Sequence, residues 1–209
     1  MKKSNVFHSM VILAVVALVT SCAGLKKDKD SMAPKAERMA LFDGKTLNGW
    51  TVLKCEATVD DGDILLVGGN GLVQTQDKYG DFILEFEWKA LRQDRWDSGV
   101  YFRYDSVPEG QPWPERHQVN LLKGQEGNVT SLEGARSEGL TKAGQWNAFK
   151  LTVQGTKASL VINGVPAWQA DGLAGPATGY IALQAEVPGG GQYRFRNIYL
   201  TRLDVRAEM

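Results

Sequence analysis

Asp81-Phe-Ile-Leu-Glu-Phe-Glu-Trp-Lys89 and, after a polar turn, Asp97-Ser-Gly-Val-Tyr-Phe-Arg103 decide the fold. In the first segment Phe82, Leu84, Phe86 and Trp88 alternate with Glu85, Glu87 and Lys89, the period of two that marks a strand with one buried face. In the second, Val100 and Phe102 share the apolar side, and Tyr101 and Arg103 the polar side. A sheet face bearing Glu, Tyr and Arg suits a cleft for a polar, uncharged ligand such as a sugar; a solvated outer face carries the same pattern.

Working outward, the same rhythm recurs. Leu41-Phe-Asp-Gly-Lys-Thr-Leu-Asn-Gly-Trp50 sets apolar residues around two turns, and Val59-Asp-Asp-Gly-Asp-Ile-Leu-Leu66 predicts a hairpin. Asp60, Asp61 and Asp63 fit a turn better than a calcium loop, which needs a regular ladder of oxygen ligands and a distal Glu. Leu72 to Thr75 reads as a short separate strand. Asp105 to Arg116 is rich in proline and is expected to lie over a sheet. Gln118 to Leu122 reads as a strand with Val119 and Leu121 inward. Gly124 to Gly144 is a long polar insertion of the kind that often carries function.

Phe149, Leu151 and Val153 mark another strand, and Asn163-Gly164 is the strongest hairpin signal in the chain. Ile181 and Leu183 point inward, opposite Gln184 and Glu186. In Tyr193 to Leu203 the apolar positions fall out of phase between Phe195 and Ile198, which predicts a bulge at Arg196-Asn197. Trp50, Trp88, Trp146 and Trp168 read as structural; Trp96 and Trp113 lie in polar loops where a ring is free to stack on a sugar. Short strands separated by glycine turns give an all-β fold, a jelly-roll sandwich of two antiparallel curved sheets, as a single domain over residues 39–205.

Composition excludes some functions. Of 209 residues, 24 are Lys or Arg and 24 Asp or Glu, so no positive field exists to displace phosphate counterions and no nucleic-acid partner is expected. Only His8 and His117 are present, too few for a histidine-cluster zinc site. Lys2 and Lys3 precede an apolar run from Val11 to Val19, too short for a permanent membrane span, and Val19-Thr-Ser-Cys22 follows. This is the pattern of a bacterial lipoprotein. Residues 1–21 read as a signal peptide, and residues 22–38 as a lipidated Cys22 and flexible tether. A protein held in the cell envelope by that membrane anchor is expected, periplasmic or at the outer membrane. Cys55 is left without a partner and reads as a buried small apolar residue.

Taken in order, Leu41 to Trp50, Gly80 to Trp88, Asp97 to Arg103, Gly144-Gln-Trp-Asn147, Ile162-Asn-Gly-Val165, Ile181 to Glu186 and Phe195-Arg-Asn-Ile198 resemble the 3-keto-disaccharide hydrolase domain family. The resemblance covers roughly Met39 to Leu203. It implies a concanavalin-like fold and a glycosyl hydrolase acting on 3-keto-glycosides, in which loss of the C2 proton next to the keto group drives out the aglycone at C1.

That chemistry needs a base near C2, a donor at the ketone oxygen and a proton source for the leaving group. The resemblance points to Glu186 as base or acid and Arg103, with Tyr101, at the ketone. Gln118, Asn120, His117, Trp113 and Glu85 are candidate sugar contacts, although the alternation beside Gln118 turns His117 toward the core. Glu85 and Glu87 are also spaced about 6.8 Å apart along the backbone, within the range of an inverting carboxylate pair. Gln118 and Asn128 stand where relatives carry carboxylates. An amide binds a hydroxyl but neither acts as a base nor holds a divalent metal strongly, so no metal ligand is assigned and a divalent metal is left open. The amides Gln118, Asn120 and Asn128 favour the alternative of a non-catalytic carbohydrate-binding lipoprotein.

Overall fold

The computed structural model describes residues 37–203, in which eleven strands account for the regular structure. They are β1 (Arg38–Ala40), β2 (Trp50–Asp60), β3 (Asp63–Thr75), β4 (Phe82–Ala90), β5 (Gly99–Tyr104), β6 (Gln118–Asn120), β7 (Asn147–Gln154), β8 (Lys157–Ile162), β9 (Val165–Asp171), β10 (Tyr180–Val187) and β11 (Tyr193–Arg202). Their order is β6-β5-β10-β3-β11-β4-β7-β8-β9, with β2 added to β3 and β1 to β11, and the pairings are antiparallel. The expected signal peptide and Cys22 lie outside the described residues. Arg38, expected in the tether, already pairs with Thr201.

The sheet curls on itself, so that the β6-β5-β10-β3 half and the β11-β4-β7-β8-β9 half enclose one apolar core. Phe82, Leu84, Phe86 and Trp88 are each at most 2% exposed, and burying a side chain of this size contributes about 1.5–3 kcal/mol. Their partners include Phe149, at 5.5 Å from Phe86 and edge-on to Trp88 at 5.7 Å. Tyr193 and Trp168 join the two halves through polar tips: the Tyr193 hydroxyl donates to the Leu121 carbonyl and the Trp168 indole to Gly127.

β3 belongs to both halves. Its first residues pair with β11 and its last with β10. The buried positions change phase between them, from Ile64 and Leu66 to Val73 and Thr75. The stretch Val67-Gly-Gly-Asn-Gly71 thus crosses the corner as continuous strand, where Leu72–Thr75 was expected as a short separate strand. Pairing with β2 shifts register twice here, and a side chain on Gly71 would overlap the Leu53 carbonyl. The glycines read as a turn but serve as room for the sheet to bend.

Other expectations hold. Asn163-Gly164 adopts positive φ at both residues, 50° and 81°, as a type I′ hairpin requires. Pairing of β11 with β4 shifts between Arg196 and Tyr199, with Asn197 at φ 51°, and this bulge keeps Tyr193, Phe195, Ile198 and Leu200 all buried. Asp61-Gly62 turns β2 into β3, while Asp60 and Asp63 both hold Arg194 of β11. The long insertion sends Val129, Leu132 and Ala135 into the core, so it seals the sandwich.

Candidate functional site

Alternation on β5, β6 and β10 turns one set of side chains away from the core, onto the outer face of that half. At one end of this face Leu72, Tyr101, Tyr104 and Ala182 form a second apolar cluster, with Val107 and Trp113 packed on it. Both come from the proline-rich loop, which therefore lies over the sheet as expected. The Trp113 indole donates to the Ala185 carbonyl at 3.3 Å, which fixes the ring across β10.

Past Trp113 the face turns polar. Gln118 is directly opposite Tyr101, and its side-chain amide reaches across β5 to donate to Gln184 Oε1. That route exists because residue 99 is glycine: a Cβ there would overlap the Gln118 amide. Gln184, only 3% exposed, passes the interaction on by donating its own Nε2 to Glu186 Oε2 at 3.2 Å. A directed chain of amides thus ends on a carboxylate.

Two carboxylates and a phenol set the electrostatics. Burial pushes the Glu186 pKa above the ordinary carboxylate value, and the Asp97 charge pushes it further. Burial raises Asp97 as well. The Gly189-Gly190 turn holds this end together: the Gly190 amide donates to the Glu186 carbonyl at 2.6 Å and the Gly190 carbonyl accepts from the Asp97 amide at 3.0 Å. Burial first, then the charges of Asp97 and Glu186, drives the Tyr101 pKa up, so its phenol stays protonated. Tyr101 is 5% exposed, and its hydroxyl has no hydrogen-bond partner among the described residues. A free donor on an otherwise buried ring, beside two carboxylates inclined to hold protons, is an arrangement for binding and proton transfer.

Tyr101, Gln118, Trp113 and Glu186 are therefore brought together, from β5, β6, the proline-rich loop and β10. Arg103 is not. It sits at φ 51° on a bulge where β5–β10 pairing jumps a residue, which swings its side chain to the end of the sandwich. There Nε donates to the Gly80 carbonyl, Nη1 to the Gly155 carbonyl and Nη2 to Asp81. Arg103 flanks Tyr180–Ile181 and Glu186 comes five residues later, about 17 Å along the strand. The expectation that Arg103 polarises the ketone is thus overturned.

His117 is also withdrawn from the face. It is 1% exposed, stacks on Phe102 and bonds to Ser131 and the Ala174 carbonyl, and burial pushes its pKa down. Glu85 lies on the other half of the sandwich, paired with Arg38, and Glu87 beside it pairs with Arg196. Asn120 shares the site's face, but its Oδ1 caps the following turn by accepting from the Leu122 amide. Trp96 is a core residue at 5% exposure. Asn128 accepts from the Ser137 amide and shapes the insertion. Cys55 is half-buried, its thiol pKa raised by burial.

Asp97 and Gln184 were missed as site residues. Asp97 falls in phase with Gly99 and Tyr101, and Gln184 with Glu186, so alternation alone identifies their face. Among the described residues no group of three or more His, Cys, Asp or Glu side chains is arranged to hold a metal ion.

With the geometry in place, comparison with known proteins fixes the family. The profile of the 3-keto-alpha-glucoside-1,2-lyase-like domain matches residues 37–201. The chain belongs to this family. Among curated proteins none matches. Solved structures share the fold. A "putative glycosyl hydrolase" from Parabacteroides distasonis superposes with a TM-score of 0.66 at 18% identity, covering 80% of this chain and 94% of that one. A carbohydrate binding module from Bacillus subtilis gives 0.56 at 13% identity over 73% and 95% of the two chains. A beta-glucanase from Bacillus licheniformis gives 0.52 at 13% over 81% and 99%. The fold is thus the concanavalin-like jelly roll that the resemblance implied.

Proposed function

We propose that this protein cleaves 3-keto-glycosides at the Asp97–Tyr101–Glu186 cluster. The observation that carries the reading is the Tyr101 hydroxyl, at the tip of a ring only 5% exposed and without a hydrogen-bond partner among the described residues, on the face that also carries Asp97 and Glu186, two carboxyls whose pKa values burial raises. Tyr101 donates to the ketone oxygen as negative charge develops there. Glu186, ionised, removes the C2 proton. The electron pair of the C2–H bond forms the enolate, and its return toward C1 breaks the bond to the aglycone oxygen. Asp97, protonated, gives its proton to that oxygen. The products are the free aglycone and an unsaturated 3-keto sugar, to which water adds to give the 3-keto monosaccharide. Trp113 supplies an apolar wall and Gln118 a hydrogen-bonding amide for the sugar ring. Asn120 contributes at the margin.

We infer further that the chain is exported and tethered by lipid at Cys22, on the strength of its leader sequence. Metabolic labelling with a fatty-acid probe, lost in Cys22→Ala, tests this.

The decisive assay incubates the protein with an aryl 3-keto-glucoside and follows free aglycone, with Glu186→Gln in parallel. Release by the parent and not by the variant supports the reading. Sugar binding without release, seen by calorimetry, decides for a non-catalytic carbohydrate-binding protein, a reading that the two amides Gln118 and Gln184 favour.

A further inference from the structure

We propose that Gln184 is a positioning residue that holds Glu186 in its ionised, accepting form, and that Gln118 and Gly99 set the direction of this relay. The argument is one of hydrogen-bond polarity. Gln118 donates to Gln184 Oε1, so the Gln184 amide turns its oxygen toward β6 and its N–H donors toward Glu186. One of them meets Glu186 Oε2 at 3.2 Å. A carboxylate satisfies that donor, whereas a protonated oxygen there confronts N–H with O–H.

The relay is shielded from water, since Gln184 is 3% exposed, and its polarity is set by the hydrogen bond from Gln118. It exists only because Gly99 leaves β5 low enough for the Gln118 side chain to cross. The titratable groups on the face of Glu186 are Asp97 before β5 and Tyr101 on β5, and Tyr193 of β11 lies beneath them in the core. Asp97 and burial favour protonation of Glu186, so the relay is the opposing influence. It leaves Gln118 Oε1 without a partner among the described residues, as an acceptor for a ligand hydroxyl. This inference rests on the reading of Glu186 as the acid–base group only for its catalytic consequence.

The test is an NMR titration of the Glu186 side-chain carboxyl in the full folded domain, with the signal assigned by its loss in Glu186→Gln. In Gln118→Glu the new carboxylate draws the Gln184 amide toward itself. Gln184 then turns its oxygen to Glu186, which must carry a proton to meet it. The Glu186 midpoint is expected to rise by about one pH unit or more, tenfold in proton affinity. Simple charge repulsion also raises it, so the same substitution is placed on a Gln184→Leu background, where the rise should be clearly smaller. Equal rises in the two backgrounds overturn the proposal.

Should Gln118→Glu fail to fold, Gln118→Met removes the donor without adding charge. It frees Gln184 and should still raise the midpoint, while an unchanged midpoint overturns the proposal. Aglycone release plays no part in this readout, so a protein inactive on keto-glycosides leaves the relay test intact. A failed relay leaves the Glu186→Gln assay intact.

Discussion

The two ends of β10 carry polar groups of similar kind and use them in opposite ways. At the Tyr180 end, the Arg103 guanidinium has each of its three nitrogens on a fixed protein acceptor, and Asp81 accepts a second bond from the Gly155 amide. An open hollow of about 850 Å³ adjoins this end, yet its central charges are already committed to the fold. At the Glu186 end, among the described residues, Tyr101 has an idle hydroxyl, Gln118 an idle carbonyl and the carboxylates no cation among their hydrogen-bond partners. Bonding capacity left over inside a folded protein costs stability, and it is where a ligand has something to gain. A hollow alone is a weaker guide than unspent donors and acceptors.

Arg103→Met should show the largest effect. It strips Asp81, the buried Gly80 carbonyl and the Gly155 carbonyl of their donor, and a loss of about 3 kcal/mol in urea unfolding is expected. Carbohydrate binding by the folded fraction should be unchanged; a specific loss of binding erases the contrast between the ends.

Glu186→Gln should do the reverse, abolishing aglycone release by a factor of about 100 or more with no loss of stability. Next comes Tyr101→Phe, expected to weaken ligand affinity about five- to tenfold, measured by calorimetry. Because the hydroxyl has no protein partner, its removal should leave the unfolding midpoint level or slightly higher.

The smallest effect is on the pH dependence of stability. Glu186 and Asp97 have folded pKa values above their unfolded ones. Their contribution is therefore fully present below the unfolded carboxylate pKa and is lost as pH rises through the folded value. The urea midpoint of Glu186→Gln should accordingly pull ahead of the parent as pH climbs from about 4 toward 7. A gap that instead opens on acidification shows that the Glu186 end is held together like the Arg103 end.

Most of the fold was legible in the sequence because alternation, turn glycines and bulge phase are local signals. The Tyr193–Leu203 slip announced its own bulge, and Asn163-Gly164 its hairpin. Arg103 was misplaced because a bulge that turns a polar side chain leaves no apolar residue out of step to betray it: Val100 and Phe102 stay in phase, and the break falls after them. Glu85 failed for a different reason. Alternation gives the side of a strand, and only long-range pairing says which half of the sandwich that strand joins. The Val67–Gly71 crossing has the composition of a turn, and nothing local distinguishes room to turn from room to bend. Asp97 and Gln184, by contrast, were available from phase alone.

The placing of β11 has a consequence for how the molecule comes into being. This last strand lies between β3 and β4 and is the seam along which the two halves are stitched. A chain growing from its amino terminus therefore exposes both unfinished apolar surfaces until residues near 200 have emerged. Acquisition of the native state is in this sense all but post-translational, and a chain cut before Tyr193, which lacks the whole of this strand, should yield insoluble material instead of a smaller working domain.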